Sequence, residues 1–371
     1  MIKILFFIPD LSGGGAEKVL CNLVNNMDLS IFDITVQTVQ YYDYKKYLKN
    51  GIHYKSIFHS NSKIVQRMSH LWYRFCTEYK LTYPLYIKDD YDIEVAYLEC
   101  GATKVMAAST NKKAKKIAWV HCDMQKIGVV DKRTGEYYSC YDKVVCVSQD
   151  VKKSFDQVFG EEVSSVVINN VIDEDEILEK SNVKFDGIVL GSKKQMVAVG
   201  RLSEVKNYGH LIDVCTILKE EGYDFHLTIL GDGPERDNLQ KQITDNNMDR
   251  YISLEGYVSN PYPWIKNADY VICSSKYEGI STVVQEALIL EKIVITTPCG
   301  GMQELLGDSE YGLIAEDTDD GLYLAIKKII DEPQTEKYYM EKINEKRRQI
   351  EKKQIVHKTQ EFFKDILSGI M

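Results

Sequence analysis

The 371 residues, 44% hydrophobic and 27% charged, describe a globular chain rather than a disordered or fibrous one. They exceed the roughly 250–300 residues that one core holds, so two domains are expected. The net charge of −9 is uneven: residues 1–170 hold 22 Lys and Arg against 19 Asp and Glu (+3), and the remainder holds 24 against 36 (−12), which argues against a nucleic-acid partner needing a basic footprint.

The first apolar run, residues 2–8, reads as a strand and stops at Pro9-Asp10. It lacks the shape of a signal peptide, and no stretch reaches the roughly 18 apolar residues of a membrane span, so a cytoplasmic chain is expected. Nine cysteines, odd in number and without C-x-x-C spacing, point away from a disulfide framework or zinc site and toward a reducing compartment.

Ser12-Gly13-Gly14-Gly15-Ala16-Glu17 follows that strand and opens a helix over 16–27. Glycines permit a tight turn and close approach of backbone to ligand, and a helix start offers free N–H groups to an anion. A plain strand–helix turn needs the same glycines. Lys18 stands where a dinucleotide fingerprint has its third glycine, and no acid closes the second strand near Val39-Gln40, so a dinucleotide site is disfavoured.

Further strands are expected at 34–39, 52–58, 93–98, 116–120, 144–147 and 165–168. A long helix begins near Ser62. Within residues 62–76, Lys63, Arg67, His70 and Arg74 share one stripe, with Ile64, Met68, Leu71, Trp72 and Phe75 beside it and Tyr73 and Tyr79 as aromatic edges. Such a helix suits an anionic membrane surface or a lipid-linked diphosphate. The plainer alternative, an apolar face in the core and cations in water, fits the same spacing. Lys112, Lys113, Lys115 and Lys116 read as a solvated turn, and His121 follows a strand end.

Residues 171–193, with Asp173-Glu174-Asp175-Glu176 and later Gly191-Ser192, break the rhythm and read as an inter-domain connection. The D-x-D within it is read as solvated charge. Strands resume at 195–199, 226–230, 252–254, 270–273 and 293–296, with helices near 208–220, 234–244 and 282–290, then a charged helical tail over 336–367. Strand–helix alternation implies parallel sheets covered on both faces, with ligands beyond the carboxyl ends of the strands. Two such runs imply an α/β chain of two doubly wound domains facing a cleft: 1–170 and 191–349, with 350–371 as a last helix.

Two motifs in the second run carry chemistry. Gly200-Arg201-Leu202-Ser203-Glu204-Val205-Lys206 leaves a strand end, where two cations can neutralise a diphosphate, Arg as a planar fork and Lys as a point charge. Two basic residues on a loop are otherwise simply solvated. Glu278-Gly279-Ile280-Ser281-Thr282-Val283-Val284-Gln285-Glu286 leads from a loop into a helix, with Ser281 as a cap. A carboxylate there can accept both hydroxyls of a ribose, and Glu286 lies among Val283, Val284, Ala287 and Leu288.

Gly200-Arg201-Leu202 with Lys206, Gly231-Asp232-Gly233-Pro234, Glu255-Gly256-Tyr257-Val258, the Glu278/Glu286 pair and Gly14-Gly15-Ala16-Glu17 together resemble the retaining GT4 family of glycosyltransferases, in order and spacing over nearly the whole chain. The resemblance implies a GT-B fold of two Rossmann-like domains, the donor held mainly by the second, the acceptor by the first, and a last helix crossing back to the first. It implies that Arg201 and Lys206 grip the donor diphosphate and that Glu286 holds the ribose. Glu278, Gly279, Ile280, Ser281, Thr282 and Val283 contact the donor sugar and phosphate, Val258 faces the base through its backbone, and Gly15 approaches the phosphates. His121 and Glu278 stand as the catalytic candidates, His121 as a hydrogen-bond or charge-stabilising group rather than a base. Two positions depart from the family: Glu204-Val205 where Pro-Glu is common, and Ser281 where Pro is common.

The implied activity is transfer of a sugar from a nucleotide-sugar, with UDP as the family expectation, to a saccharide acceptor, expected to be lipid-linked, with retention of configuration. It serves surface polysaccharide or capsule biosynthesis on the cytoplasmic face of the cell membrane, with no metal and no cofactor beyond the donor. A sugar-nucleotide epimerase, a phosphorylase and a non-catalytic nucleotide- or lipid-binding subunit are the alternatives. A phosphorylase would need a phosphate or cofactor lysine that is not identifiable, and the Arg201, Lys206, Glu278, Glu286 set argues against a silent subunit.

Overall fold

The computed structural model describes residues 1–11, 14–41, 47–60, 62–126, 132–160, 163–185, 187, 193–347 and 352–369, the side chains of Lys63, Lys132 and Arg133 excepted. The chain divides into two compact units, Met1–Val171 with Lys352–Met371, and Ile172–Glu351.

In the first unit the strands are β1 (Ile2–Phe7), β2 (Phe32–Gln40), β3 (His53–Phe58), β4 (Ile93–Ala96), β5 (Lys115–Val120), β6 (Lys143–Cys146) and β7 (Ser165–Val167). They form one sheet in the order β3-β2-β1-β4-β5-β6-β7, every neighbouring pair parallel. The central strands are apolar runs without alternation because both faces are covered: Ile4 through Ile8 are fully buried. The helix Lys352–Ser368 is part of this core. Phe363 meets Phe6 and Phe32 edge-on, at 6.0 and 6.3 Å between ring centroids, and the Asp28 N–H donates to Gln360 Oε1 at 2.7 Å.

The second unit repeats the plan with β8 (Lys194–Val199), β9 (Phe225–Leu230), β10 (Ile252–Gly256), β11 (Tyr270–Cys273), β12 (Ile293–Thr296) and β13 (Leu313–Ile314), in the order β10-β9-β8-β11-β12-β13. All pairs are again parallel. Each of the twelve strands expected from the sequence occurs, and the α/β class of two doubly wound sheets holds. Strand β13 escaped sequence reading because two residues carry no periodicity. None of the nine cysteines is in a disulfide.

Two expectations need correction. Residues 171–193 are not simply a connection: Glu174–Ser181 is a helix of the second unit, packed on the helices Tyr262–Asn267 and Thr282–Ile289, and that unit begins at Ile172 rather than 191. Asp173 caps this helix, its side chain accepting from the Glu176 N–H at 3.3 Å, and the acidic first turn complements the helix dipole. The acidic run is thus a helix start; Gly191 and Ser192 lie outside the described residues. For residues 62–76, the core-packed alternative does not hold. The helix Lys63–Glu78 turns Ser69, Cys76 and Thr77 inward, where Ser69 Oγ accepts from Gln40 Nε2 at 3.3 Å, and leaves Ile64, Met68, Leu71, Trp72 and Phe75 exposed.

Candidate active site

A doubly wound sheet opens a crevice where its strand order reverses, because the crossovers on either side diverge. In the second unit that point lies between β8 and β11, which are adjacent in the sheet. The Arg201–Lys206 segment leaves the carboxyl end of β8, and the Glu278 loop leaves that of β11. The first segment closes in a 3-10 turn, Glu204–Lys206, and the helix Tyr208–Glu220 follows. The two loops are tied together. Ser274 Oγ donates to the Lys206 carbonyl at 2.7 Å, and the Lys276 N–H donates to the Val205 carbonyl at 2.8 Å.

At this junction Lys206 Nζ donates to Glu278 Oε1 at 2.5 Å, and Ser275 Oγ donates to the same oxygen at 2.7 Å. Burial works against the Lys206 charge, but the adjacent Glu278 carboxylate more than offsets it, so the ammonium's pKa lies above its ordinary value. Arg201 is exposed and has no ion-pair partner among the described residues. Lys206 and Glu278, singled out separately in the sequence, therefore meet, and Arg201 stands at the carboxyl end of β8.

Beyond Glu278 the chain enters the helix Thr282–Ile289. Ser281 Oγ accepts from the Val284 N–H at 3.4 Å, satisfying one of the donors that a helix start leaves unmade. Gly279, Ile280 and Ser281 are buried and Thr282 and Val283 half-buried, while Glu286 is 4% exposed within the helix. Val258 is half-buried in the loop after β10, beside exposed Tyr257.

Several residues that hold this loop were missed at the level of sequence. A Cβ on Gly300 would sit 2.6 Å from the Glu278 carbonyl, and one on Gly301, whose φ is +76°, would sit 2.7 Å from the Gly279 carbonyl. Only glycines let the segment after β12 lie against the Glu278–Ile280 backbone. Thr297 Oγ1 donates to the Ser275 carbonyl at 2.6 Å and adds to the support. The Gly300-Gly301 pair directly after a strand was the available signal.

In the first unit, Gly14 is the N-cap and Gly15 the first residue of the helix Gly15–Asn26, which no side chain among the described residues caps. Ser12 and Gly13 lie outside the described residues. His121 follows β5, with its ring 4.9 Å from that of Tyr97. The His121 N–H donates to Glu99 Oε1, and the Cys122 N–H donates to the same oxygen at 2.9 Å. Burial lowers the His121 pKa to about 3, so the imidazole is neutral, and its buried Nε2 has no hydrogen-bond partner among the described residues. Burial raises the pKa of Glu99. Glu99 was also missed, although an acid closing the apolar run 93–98 marks it. Among the described residues no group of three His, Cys, Asp or Glu is placed to hold a metal ion.

Comparison with known proteins now adds to this geometry. Residues 179–350 match the family model for glycosyl transferases group 1. This chain carries a glycosyl transferases group 1 domain. The domain coincides with nearly all of the second unit and contains Arg201, Lys206, Val258, Glu278 and Glu286, so the family resemblance drawn from the motifs is borne out.

The glycosyl transferases group 1 domain has named relatives. The chain is 30% identical over 191 residues, 51% of its length, to the N-acetylgalactosamine-N,N'-diacetylbacillosaminyl-diphospho-undecaprenol 4-alpha-N-acetylgalactosaminyltransferase of Campylobacter jejuni. It is 23% identical over 318 residues to the amylovoran biosynthesis glycosyltransferase AmsD of Erwinia amylovora, covering 84% of this chain and 85% of that one. The match spans about half the length of the first of these, 50%. Among solved structures, Anabaena Alr3699/HepE in complex with UDP and glucose superposes with a TM-score of 0.77 at 18% identity, over 98% of this chain and 100% of that one. The fold of two parallel-sheet, Rossmann-like domains is thus shared with GT-B glycosyltransferases.

Proposed function

We propose that the protein is a glycosyltransferase that moves a sugar from a nucleotide-sugar, a UDP-sugar first among them, to a saccharide acceptor carried on a lipid, in the building of a surface polysaccharide or related glycan. The observation that carries this is the meeting of Lys206 and Glu278, with Arg201 alongside, at the strand ends flanking the switch point of a glycosyl transferases group 1 domain. The named activities of the C. jejuni and E. amylovora relatives and the UDP bound by the Anabaena protein support the choice of donor and acceptor class.

In this mechanism the bond between the anomeric carbon and the diphosphate oxygen breaks as the acceptor oxygen bonds to that carbon on the same face. The acceptor's proton passes to the departing phosphate oxygen, so configuration is retained without a protein nucleophile. The leaving diphosphate gathers negative charge, and preorganised cations are worth most there. Lys206, a three-donor ammonium, shares one proton with Glu278 and turns the others to phosphate, while Arg201 offers its fork. The N–H groups of Gly279 through Val283 receive phosphate or sugar oxygens, Glu286 takes the ribose hydroxyls, and Val258 meets the base. Gly15 contributes close backbone approach to phosphate. His121, held neutral, offers a hydrogen bond to a sugar hydroxyl. The neutralising charge comes from side chains rather than a metal, and the protein works at the cytoplasmic face of the membrane.

The test is incubation of the purified protein with UDP-sugars and a polyprenyl-diphosphate-linked saccharide, in the presence of a chelator. A new α-linked glycoside and stoichiometric UDP are expected. Conversion of the sugar nucleotide into another sugar nucleotide without acceptor would replace this function with epimerisation.

A further inference from the structure

The helix Lys63–Glu78 has three sectors, read at about 100° per residue. Ser69, Cys76 and Thr77 face the first unit's core, with Tyr73 half-buried between them. Ile64, Met68, Leu71, Trp72, Phe75 and the following Tyr79 form a second sector in which every residue is between 47 and 73% exposed. Arg67, His70 and Arg74 form a third, all exposed, along one edge of the apolar sector.

An ordinary domain helix puts its apolar sector inside. Here small and polar side chains make the inward contact and the large apolar ones face out. Of the 18 large hydrophobic residues exposed among the described residues, nine lie between Ile64 and Leu85. This is a patch rather than the scatter of single residues that any surface shows. Its aromatic rings are already ordered: Trp72 and Phe75 stack at 5.7 Å and Phe75 meets Tyr79 at 4.7 Å. The indole N–H of Trp72 donates to Tyr86 Oη at 2.9 Å, which satisfies its polar atom within the protein.

We propose that this helix lies in the plane of an anionic lipid bilayer surface, with Ile64, Met68, Leu71, Trp72 and Phe75 in the acyl boundary and Arg67, His70 and Arg74 on the headgroup phosphates. The charge pattern selects this occupant. The helix holds no acidic residue before Glu78, so the same face of a second copy offers its cations no counter-charge, whereas an anionic headgroup does. Its 16 residues fall short of the roughly 20 of a span, and no helix of the described residues is long and apolar enough to cross a membrane. In-plane burial is the geometry that remains for an apolar sector bordered by cations. The proposal deepens the proposed function, since a lipid-linked acceptor is presented at such a surface, but it rests on the faces of the helix itself.

The full chain is sedimented with phosphatidylcholine vesicles, with and without phosphatidylglycerol, at low and high salt, and UDP binding is measured on the same samples. Binding to the anionic vesicles, weakened by salt, is expected. L71S/F75S is expected to weaken it about tenfold or more through lost apolar burial. R67A/R74A is expected to do so about tenfold through lost headgroup attraction. All four positions are exposed, so melting temperature and UDP binding stay unchanged. Tryptophan emission shifts to the blue on binding, and W72F abolishes the shift. Wild-type protein that ignores anionic vesicles, binding that survives both double variants, or a dimer that L71S/F75S dissociates would overturn the proposal. Loss of UDP binding in the wild type would count against the donor site instead.

Discussion

Lys206 and Glu278 hold each other at 2.5 Å, and Ser275 holds the same carboxylate oxygen, so the cation offered to a phosphate is positioned by the protein itself. Lys206→Ala removes that cation from the leaving group and is expected to lower kcat/KM by about 10²–10³-fold. Lys206→Arg restores charge but not the compact point donor, so partial recovery is expected. Steady-state kinetics with a UDP-sugar checks both. His121 makes a second residue-scale prediction. Its folded-state pKa of about 3 lies below the ordinary 6.5 of the unfolded chain, so as pH falls through that window the unfolded state takes up a proton that the folded state refuses. His121 therefore subtracts stability on the acid side and not at neutral pH. In denaturant melts, His121→Gln is expected to lose less stability than wild type between about pH 7 and about pH 5. Equal losses would mean that the imidazole is not held neutral.

At the scale of elements, the site is assembled by loops that touch only where a side chain is missing. Gly301→Ala brings a Cβ against the Gly279 carbonyl at a positive φ and is expected to destabilise by about 1–3 kcal/mol and to weaken UDP binding, read by thermal shift with and without UDP. The helix Lys352–Ser368 gives a prediction at the opposite end of the chain. Phe363 is fully buried among Phe6, Phe32 and Trp119, so Phe363→Ala should lower stability by about 3–5 kcal/mol. Much of this was legible in sequence. Apolar runs marked the strands, unbroken over residues 4–7 of β1 and 293–295 of β12, since strands buried on both faces need no alternation. Ser281 declared its cap, Arg201, Lys206 and Glu278 announced themselves by charge at strand ends, and Glu286 by charge among apolar neighbours in a helix. What escaped were contacts made by backbone, as at Gly300 and Gly301, and polar residues whose partners lie far along the chain, such as Glu99 beneath His121. Periodicity also gave the apolar face of the helix Lys63–Glu78 but not its direction, because the inward sector of Ser69, Cys76 and Thr77 carries no hydrophobic signature.

For the molecule as a whole, the proposed donor residues Arg201, Lys206, Val258, Glu278 and Glu286 lie in one glycosyl transferases group 1 domain, while the exposed apolar helix, Gly15 and His121 belong to the other unit. Damage to one set should leave the other's binding intact. In the proposed function the second unit holds a nucleoside diphosphate through Lys206, Arg201 and Glu286. Calorimetric titration of the full chain with nucleoside diphosphates, UDP first, tests it most directly. Saturable binding at one site is expected, weakened by at least about tenfold in Lys206→Ala and in Glu286→Ala while both variants still fold cooperatively. Binding of none of the diphosphates, or wild-type affinity in both variants, would contradict it.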